Sequence, residues 1–157
     1  MSDYAGICHI AQGGTQLAEF NETTVVTVGP GPPWKLTPVN EGSPIFTIAL
    51  FSDPSSSPPK VLTLGEEVQE EGIQIFVSPL QSPPSKRQQW TLEDVLATKR
   101  FPPLLTARIQ SYENPGMSAG AGVLHVPLPR IFSNVAAAKN GDHAGNQRWQ
   151  LDFAVEE

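Results

Sequence analysis

Gln88-Gln89-Trp90-Thr91-Leu92-Glu93-Asp94-Val95 is the stretch on which the fold turns, because the chain contains it three times in outline. The other two copies are Pro33-Trp34-Lys35-Leu36-Thr37-Pro38-Val39 and Gln147-Arg148-Trp149-Gln150-Leu151-Asp152-Phe153. Each reads Trp-x-Leu followed by another apolar residue, the period of a strand with one buried face. The tryptophans stand 56 and 59 residues apart, a nearly constant spacing that marks an internal repeat.

Working outward from each tryptophan, three further strands are predicted per repeat. They are Ile7–Ile10, Gln16–Phe20 and Thr24–Val28 in the first repeat, and Ile45–Leu50, Lys60–Leu64 and Ile73–Val77 in the second. The third repeat offers Leu105–Ile109, Val123–Val126 and Ile131–Val135. β-Branched residues, alternation and Gly/Pro punctuation support these assignments. Leu92–Thr98 is the best helix candidate, but the Trp-x-Leu strand claims the same residues, and strand is preferred.

Composition agrees with an all-β chain. Sixteen prolines and thirteen glycines among 157 residues exclude a helical bundle, because proline breaks helix interiors. At 39% hydrophobic and 17% charged, the chain is too apolar for a disordered tail and long enough to bury one core. A net charge of −6 argues against nucleic acid or an anionic membrane as partner. No apolar run reaches the roughly eighteen residues of a membrane-spanning helix. One cysteine, Cys8, excludes an internal disulfide framework, and Met1-Ser2-Asp3-Tyr4 lacks the start of a signal peptide. The expectation is a cytoplasmic, monomeric, single-domain protein over residues 1–157, with repeats at about 4–40, 41–96 and 97–157.

Twelve strands in three units, each with a late Trp-x-Leu, resemble the β-trefoil, in which six strands close a barrel and three hairpins cap it. Gln88-x-Trp90 and Gln147-x-Trp149 are similar to the mark of the ricin-B-like superfamily. Gly29-Pro30-Gly31-Pro32-Pro33-Trp34 and Gly6-Ile7-x-x-Ile10 resemble the serine-protease-inhibitor branch of mushroom (fungal) β-trefoil proteins. The resemblance implies a protease inhibitor used in defence, working without cofactor.

Enzyme chemistry finds little to use. Glu66, Glu67, Glu70 and Glu71 read as a solvated hairpin tip rather than paired catalytic carboxylates. Cys8 and His9 are strand neighbours facing opposite sides, so they make no dyad. His9, His125 and His143 are scattered and lack metal-ligand spacing. Gly29-Pro30-Gly31 lacks the lysine and helix of a phosphate loop. No enzyme activity, metal or cofactor is expected.

Function is therefore sought in the loops. An inhibitor needs an exposed loop whose ordering cost is already low, and proline supplies that. Three proline-braced loops carry basic residues suited to a trypsin-like pocket. Pro129-Arg130-Ile131 is the first choice, followed by Lys99-Arg100 and Lys86-Arg87. Each basic residue has an ordinary alternative as a solvated surface charge. The resemblance places the reactive site in the loop between the second and third strands of the first repeat, and Arg130 lies at the equivalent place in the third. In the first repeat that loop is Phe20-Asn21-Glu22-Thr23, without Lys or Arg, so Asn21 suits only a different protease. The resemblance also implies that a cysteine-protease inhibitor of this kind would use the glycine turns Ala11–Gly14 and Gly29–Pro32 of the first repeat, which also read as plain tight turns. Asn114, followed by a Pro115 that would resist cleavage, suits asparagine-specific recognition, but Glu113-Asn114-Pro115-Gly116 also makes a standard turn, and the turn is preferred. The alternative class is a glycan-binding ricin-B-like lectin, for which Asp142, His143 and Asn146 before Trp149 come nearest to a sugar site.

Overall fold

The computed structural model describes residues 6–12, 14–20, 24–29, 31–40, 43–51, 59–68, 72–98, 104–121, 133–140 and 147–153. Twelve strands run through them: β1 Gly6–Gln12, β2 Thr15–Phe20, β3 Thr24–Val28, β4 Trp34–Pro38, β5 Ile45–Leu50 and β6 Lys60–Val68. They continue as β7 Ile73–Pro79, β8 Trp90–Ala97, β9 Leu104–Ser111, β10 Met117–Ala121, β11 Ser133–Lys139 and β12 Arg148–Asp152. A single 3₁₀ turn, Lys86–Gln88, is the helical element among the described residues.

All twelve strands belong to one antiparallel sheet. Ten of them follow one another around a closed circuit, β1-β2-β3-β11-β7-β6-β5-β8-β9-β12 and back to β1. β4 bridges β1 and β5, and β10 bridges β9 and β11. A shorter circuit through β1, β4, β5, β8, β9 and β12 carries the three tryptophan strands at alternate places. The expected fold class, a β-trefoil of three four-stranded units, is corrected on this point. The ladders that close the molecule run between the repeats: β3 with β7 and β11, β7 with β11, β1 with β12, β4 with β5 and β8 with β9. The result is a closed antiparallel barrel with twelve strands, in which no four-stranded unit completes its own hydrogen bonding.

The three tryptophans hold this closure in the same way. Trp34, Trp90 and Trp149 are all fully buried. Their indole Nε1–H groups donate to the carbonyls of Leu17 at 2.9 Å, Leu62 at 3.0 Å and Ala119 at 2.9 Å, on β2, β6 and β10. A buried indole needs such a partner. Around them pack Ile10, Leu36, Phe46, Ile48, Leu64, Ile75, Ile109 and Leu151, with Cys8 among them. Inward residues alternate along the strands: in β9, Leu105, Ala107, Ile109 and Ser111 are buried while Leu104, Thr106, Arg108 and Gln110 are partly exposed.

The tenth strand differs from expectation. β10 is Met117-Ser118-Ala119-Gly120-Ala121, and the expected strand Val123–Val126 lies outside the described residues. Alanine and glycine have low strand propensity, so nothing in the local sequence marks β10. The small side chains suit its place: β10 pairs with β11 along Ala136-Ala137-Ala138, all fully buried. Leu92–Thr98 contributes to β8 rather than to a helix. That strand bulges between Glu93 and Leu96, where Asp94 takes a left-handed φ of 53°. Aspartate tolerates that region better than most residues. Arg108 Nε donates to Asp94 Oδ2 at 2.8 Å, and Arg148 Nη2 donates to the Asp94 carbonyl at 2.8 Å, which pins the bulge.

Candidate functional site

The side chains of β6 and β7 alternate, and their outward residues form one wall of a cleft. In β7, Ile73, Ile75 and Val77 point into the core, so Gln74, Phe76 and Ser78 point away from it. Phe76 is 38% exposed, unusual for a phenylalanine in mid-strand. It lies opposite Thr63 of β6, and the corresponding pairs in the other repeats are Ala18–Val26 and Gly120–Ala136. Val26 and Ala136 are fully buried, so the second repeat alone presents an aromatic ring here.

The second wall is the loop from Pro79 to Gln89. Together the two walls enclose a cleft of about 800 Å³, lined by Phe76, Glu66, Glu67, Gln81, Lys86 and Glu113 among others. The loop is fixed from within. Gln88, 1% exposed, donates from Nε2 to the Pro79 carbonyl at 3.0 Å and accepts the Gln81 N–H on Oε1 at 3.0 Å. Gln89 Nε2 donates to the Pro84 carbonyl at 3.0 Å. Gln88 N–H donates to the Ser85 carbonyl at 2.9 Å, closing the 3₁₀ turn. At the floor, Thr63 Oγ1 and Ser78 Oγ share a 2.6 Å hydrogen bond. The glutamine of Gln-x-Trp therefore serves the fold: Gln147 is likewise buried and donates to the carbonyls of Ala138 and Lys139.

Charges at the rim are arranged unevenly. Arg87 Nη1 donates to Glu66 Oε1 at 2.6 Å, with side-chain exposures of 39% and 82%. An ion pair this open to water contributes at most about 1 kcal/mol, so it orients Arg87 more than it stabilises the fold. Lys86 is exposed and has no ion-pair partner among the described residues.

Of the residues singled out from sequence, Lys86 and Arg87 are thus placed on a braced loop. Pro129, Arg130, Ile131, Lys99, Arg100 and Asn21 lie outside the described residues, as do Asp142, His143 and Asn146. The two glycine turns of the first repeat come together, since a Cβ built on Gly29 would stand 3.3 Å from the Gly14 carbonyl oxygen. At Gly31 a Cβ would meet the Leu17 carbonyl oxygen at 2.7 Å, so backbone approach requires glycine there. Asn114 sits in a turn, accepting the Met117 N–H on its carbonyl at 3.1 Å and donating its own N–H to Ser111 Oγ at 3.0 Å. Cys8 is in the core, and His9 is partly exposed with a buried Nδ1 that has no hydrogen-bond partner among the described residues. Of the cleft's lining, Phe76 was not singled out from the sequence. The available signal was an aromatic on the outward phase of an otherwise alternating strand.

No protein-family model matches the chain, and no curated protein is similar to it. Solved structures are similar in fold. Cry35Ab1 aligns over 99% of this chain with a TM-score of 0.64 at 15% identity, and this chain spans about two-fifths (38%) of that protein's length. A Culex salivary protein of the Cysteine and Tryptophan-Rich family aligns over 96% of this chain and 94% of its own, with a TM-score of 0.64 at 13% identity. Botulinum neurotoxin type C, whose cell entry depends on interaction with two ganglioside molecules, aligns over 98% of this chain and 43% of its own. Its TM-score is 0.66 at 9% identity. These likenesses show a shared β-rich fold.

Proposed function

We propose that this chain is a protease inhibitor that places a rigid surface loop in the active site of its target, with a trypsin-like serine protease as the favoured class. The observation that carries the reading is the Pro79–Gln89 loop, held at both ends by the buried Gln88 side chain and exposing a lysine. A loop already ordered in the free protein loses little entropy on binding. The resemblance of Gly29–Trp34 to mushroom inhibitors supports the same class, and it keeps Arg130 and Lys99-Arg100 as further contact residues. Titrating trypsin, papain and an asparagine-specific protease with the purified protein tests it. Stoichiometric loss of trypsin activity is expected. Loss of papain activity alone would move the site to the abutting Gly14 and Gly29 turns, and loss of none at micromolar protein would refute inhibition.

A second reading, glycan binding, is favoured by Phe76. A half-exposed ring beside Glu66 and Gln81 offers a stacking face with hydrogen-bonding groups at its edge, the combination a sugar needs. The fold shared with a ganglioside-dependent toxin supports this reading at the level of fold. On a glycan array, a sugar retained by the protein and lost on Phe76→Ala is the expected pattern. A sugar retained equally by that variant would exclude the cleft.

A further inference from the structure

We infer that Lys86 is the residue that enters the protease, as a side-chain plug on a turned backbone that the protease cannot cut. This rests on the inhibitor reading above and names its contact residue and its mode.

The loop carries two adjacent cations in different states. Arg87 is held by Glu66 at 2.6 Å, across the rim of the cleft. Lys86 is exposed at the start of the 3₁₀ turn and has no ion-pair partner among the described residues. A trypsin-like specificity pocket has a carboxylate at its base, and an ammonium on a four-carbon stem can reach it without bringing other charge along. An arginine already engaged would first have to give up its partner.

Backbone geometry sets the outcome once the side chain is seated. Ser85 is extended, with φ −70° and ψ 158°, and the chain then turns through Lys86–Gln88 before Gln89 returns to φ −113° and ψ 137°. The Lys86 carbonyl accepts the Gln89 N–H at 3.3 Å inside this turn. For hydrolysis after Lys86, that carbonyl oxygen must instead sit among the oxyanion-hole donors, in line for attack. Gln88 is tied to Pro79 and Gln81 and Gln89 to Pro84, which holds the turn that this carbonyl closes. Lys86 therefore binds where a substrate residue binds while the Lys86–Arg87 bond stays intact.

The test is inhibition of trypsin and chymotrypsin by the wild type, Lys86→Ala, Lys86→Arg and Lys86→Leu, with thermal melts to confirm equal folding and intact-mass measurement after long incubation. Because Lys86 is exposed, the variants should melt with the wild type. Lys86→Ala should weaken trypsin inhibition roughly 100-fold, as loss of an interface anchor does. Lys86→Arg should keep it within about tenfold, and Lys86→Leu should transfer inhibition to chymotrypsin. The mass should show no cut after Lys86. Wild-type inhibition undiminished in Lys86→Ala would overturn the assignment, leave the inhibitor reading standing and direct attention to Arg130. Cleavage after Lys86 in step with inhibition would overturn the plug mode. A wild type inactive on both enzymes would overturn the serine-protease reading and the assignment with it.

Discussion

Cys8 shows how completely a single side chain can be committed to the core. It is fully buried, and that burial, reinforced by the neighbouring Asp152 carboxylate, pushes its thiol up to about 12 from an ordinary 9.0. Below pH 9 the thiol is neutral in both the folded and unfolded chain and adds no pH dependence. Between 9 and 12 the unfolded chain loses the proton while the folded chain keeps it, so folding stability falls as pH rises. The slope reaches at most about 1.4 kcal/mol per pH unit. Denaturant unfolding of the wild type and Cys8→Ala from pH 7 to 11 should show a stability difference that is flat up to pH 9 and shrinks above it. A difference that stays constant to pH 11 would mean that the thiol titrates normally in the folded protein. At this scale the sequence was informative where a residue answers to a neighbour on its own strand. The opposite facings of Cys8 and His9, and the buried tryptophans, followed from alternation and from the indole's apolar bulk. Phe76 could not be read in the same way, because alternation puts it on the outward face but does not say that the cleft beside it leaves the ring open.

Among the elements, the β6–β7 pair is tightly constrained at one glycine. Its register shifts between Leu64 and Val68, and Gly65 lies in the shifted segment. A Cβ on Gly65 would meet the Gln74 carbonyl oxygen at 2.8 Å and the Phe76 ring at 3.0 Å. The backbone contact cannot yield by a side-chain rotation, so Gly65→Ala must open the hairpin slightly and push the Phe76 ring. The expected cost is about 1–3 kcal/mol, as for other overpacked sites. A melt of Gly65→Ala should fall by several degrees; a melt unchanged from wild type would show that the hairpin absorbs the methyl without strain. Most strands were legible because strand pattern and turn residues agree locally, and at Thr24–Val28 and Ile45–Leu50 both ends were legible too. β10 was not, since Ala119, Gly120 and Ala121 are strand residues only because β9 and β11 close around them. The 3₁₀ turn at Lys86–Gln88 was hidden for a related reason: the Gln88 contacts that hold it reach Pro79 and Gln81, beyond any short window.

For the whole molecule, the decisive fact is that the repeats do not close on themselves. β7 completes its pairing only with β3 and β11, β5 pairs with β4, and β8 pairs with β9. A chain read as three units of similar sequence would suggest three units of independent stability, whereas these ladders make each repeat the edge partner of the other two. Excising residues 41–96 would expose the hydrogen-bonding edges of β5, β7 and β8 together, and Trp90 would keep its Leu62 carbonyl but lose much of the packing around it. A segment of that size buries too little apolar surface to offset the entropy of ordering it. The fragment should therefore be unfolded by circular dichroism and amide exchange. In the full chain, tryptophan fluorescence and far-ultraviolet circular dichroism should report one coincident transition in urea. A folded fragment, or separate transitions for the two probes, would show that a repeat can stand alone and that the inter-repeat ladders are secondary. Coincidence would also bear on function: a cooperative barrel gives the Pro79–Gln89 loop a rigid base, and a loop on such a base binds without first having to be ordered.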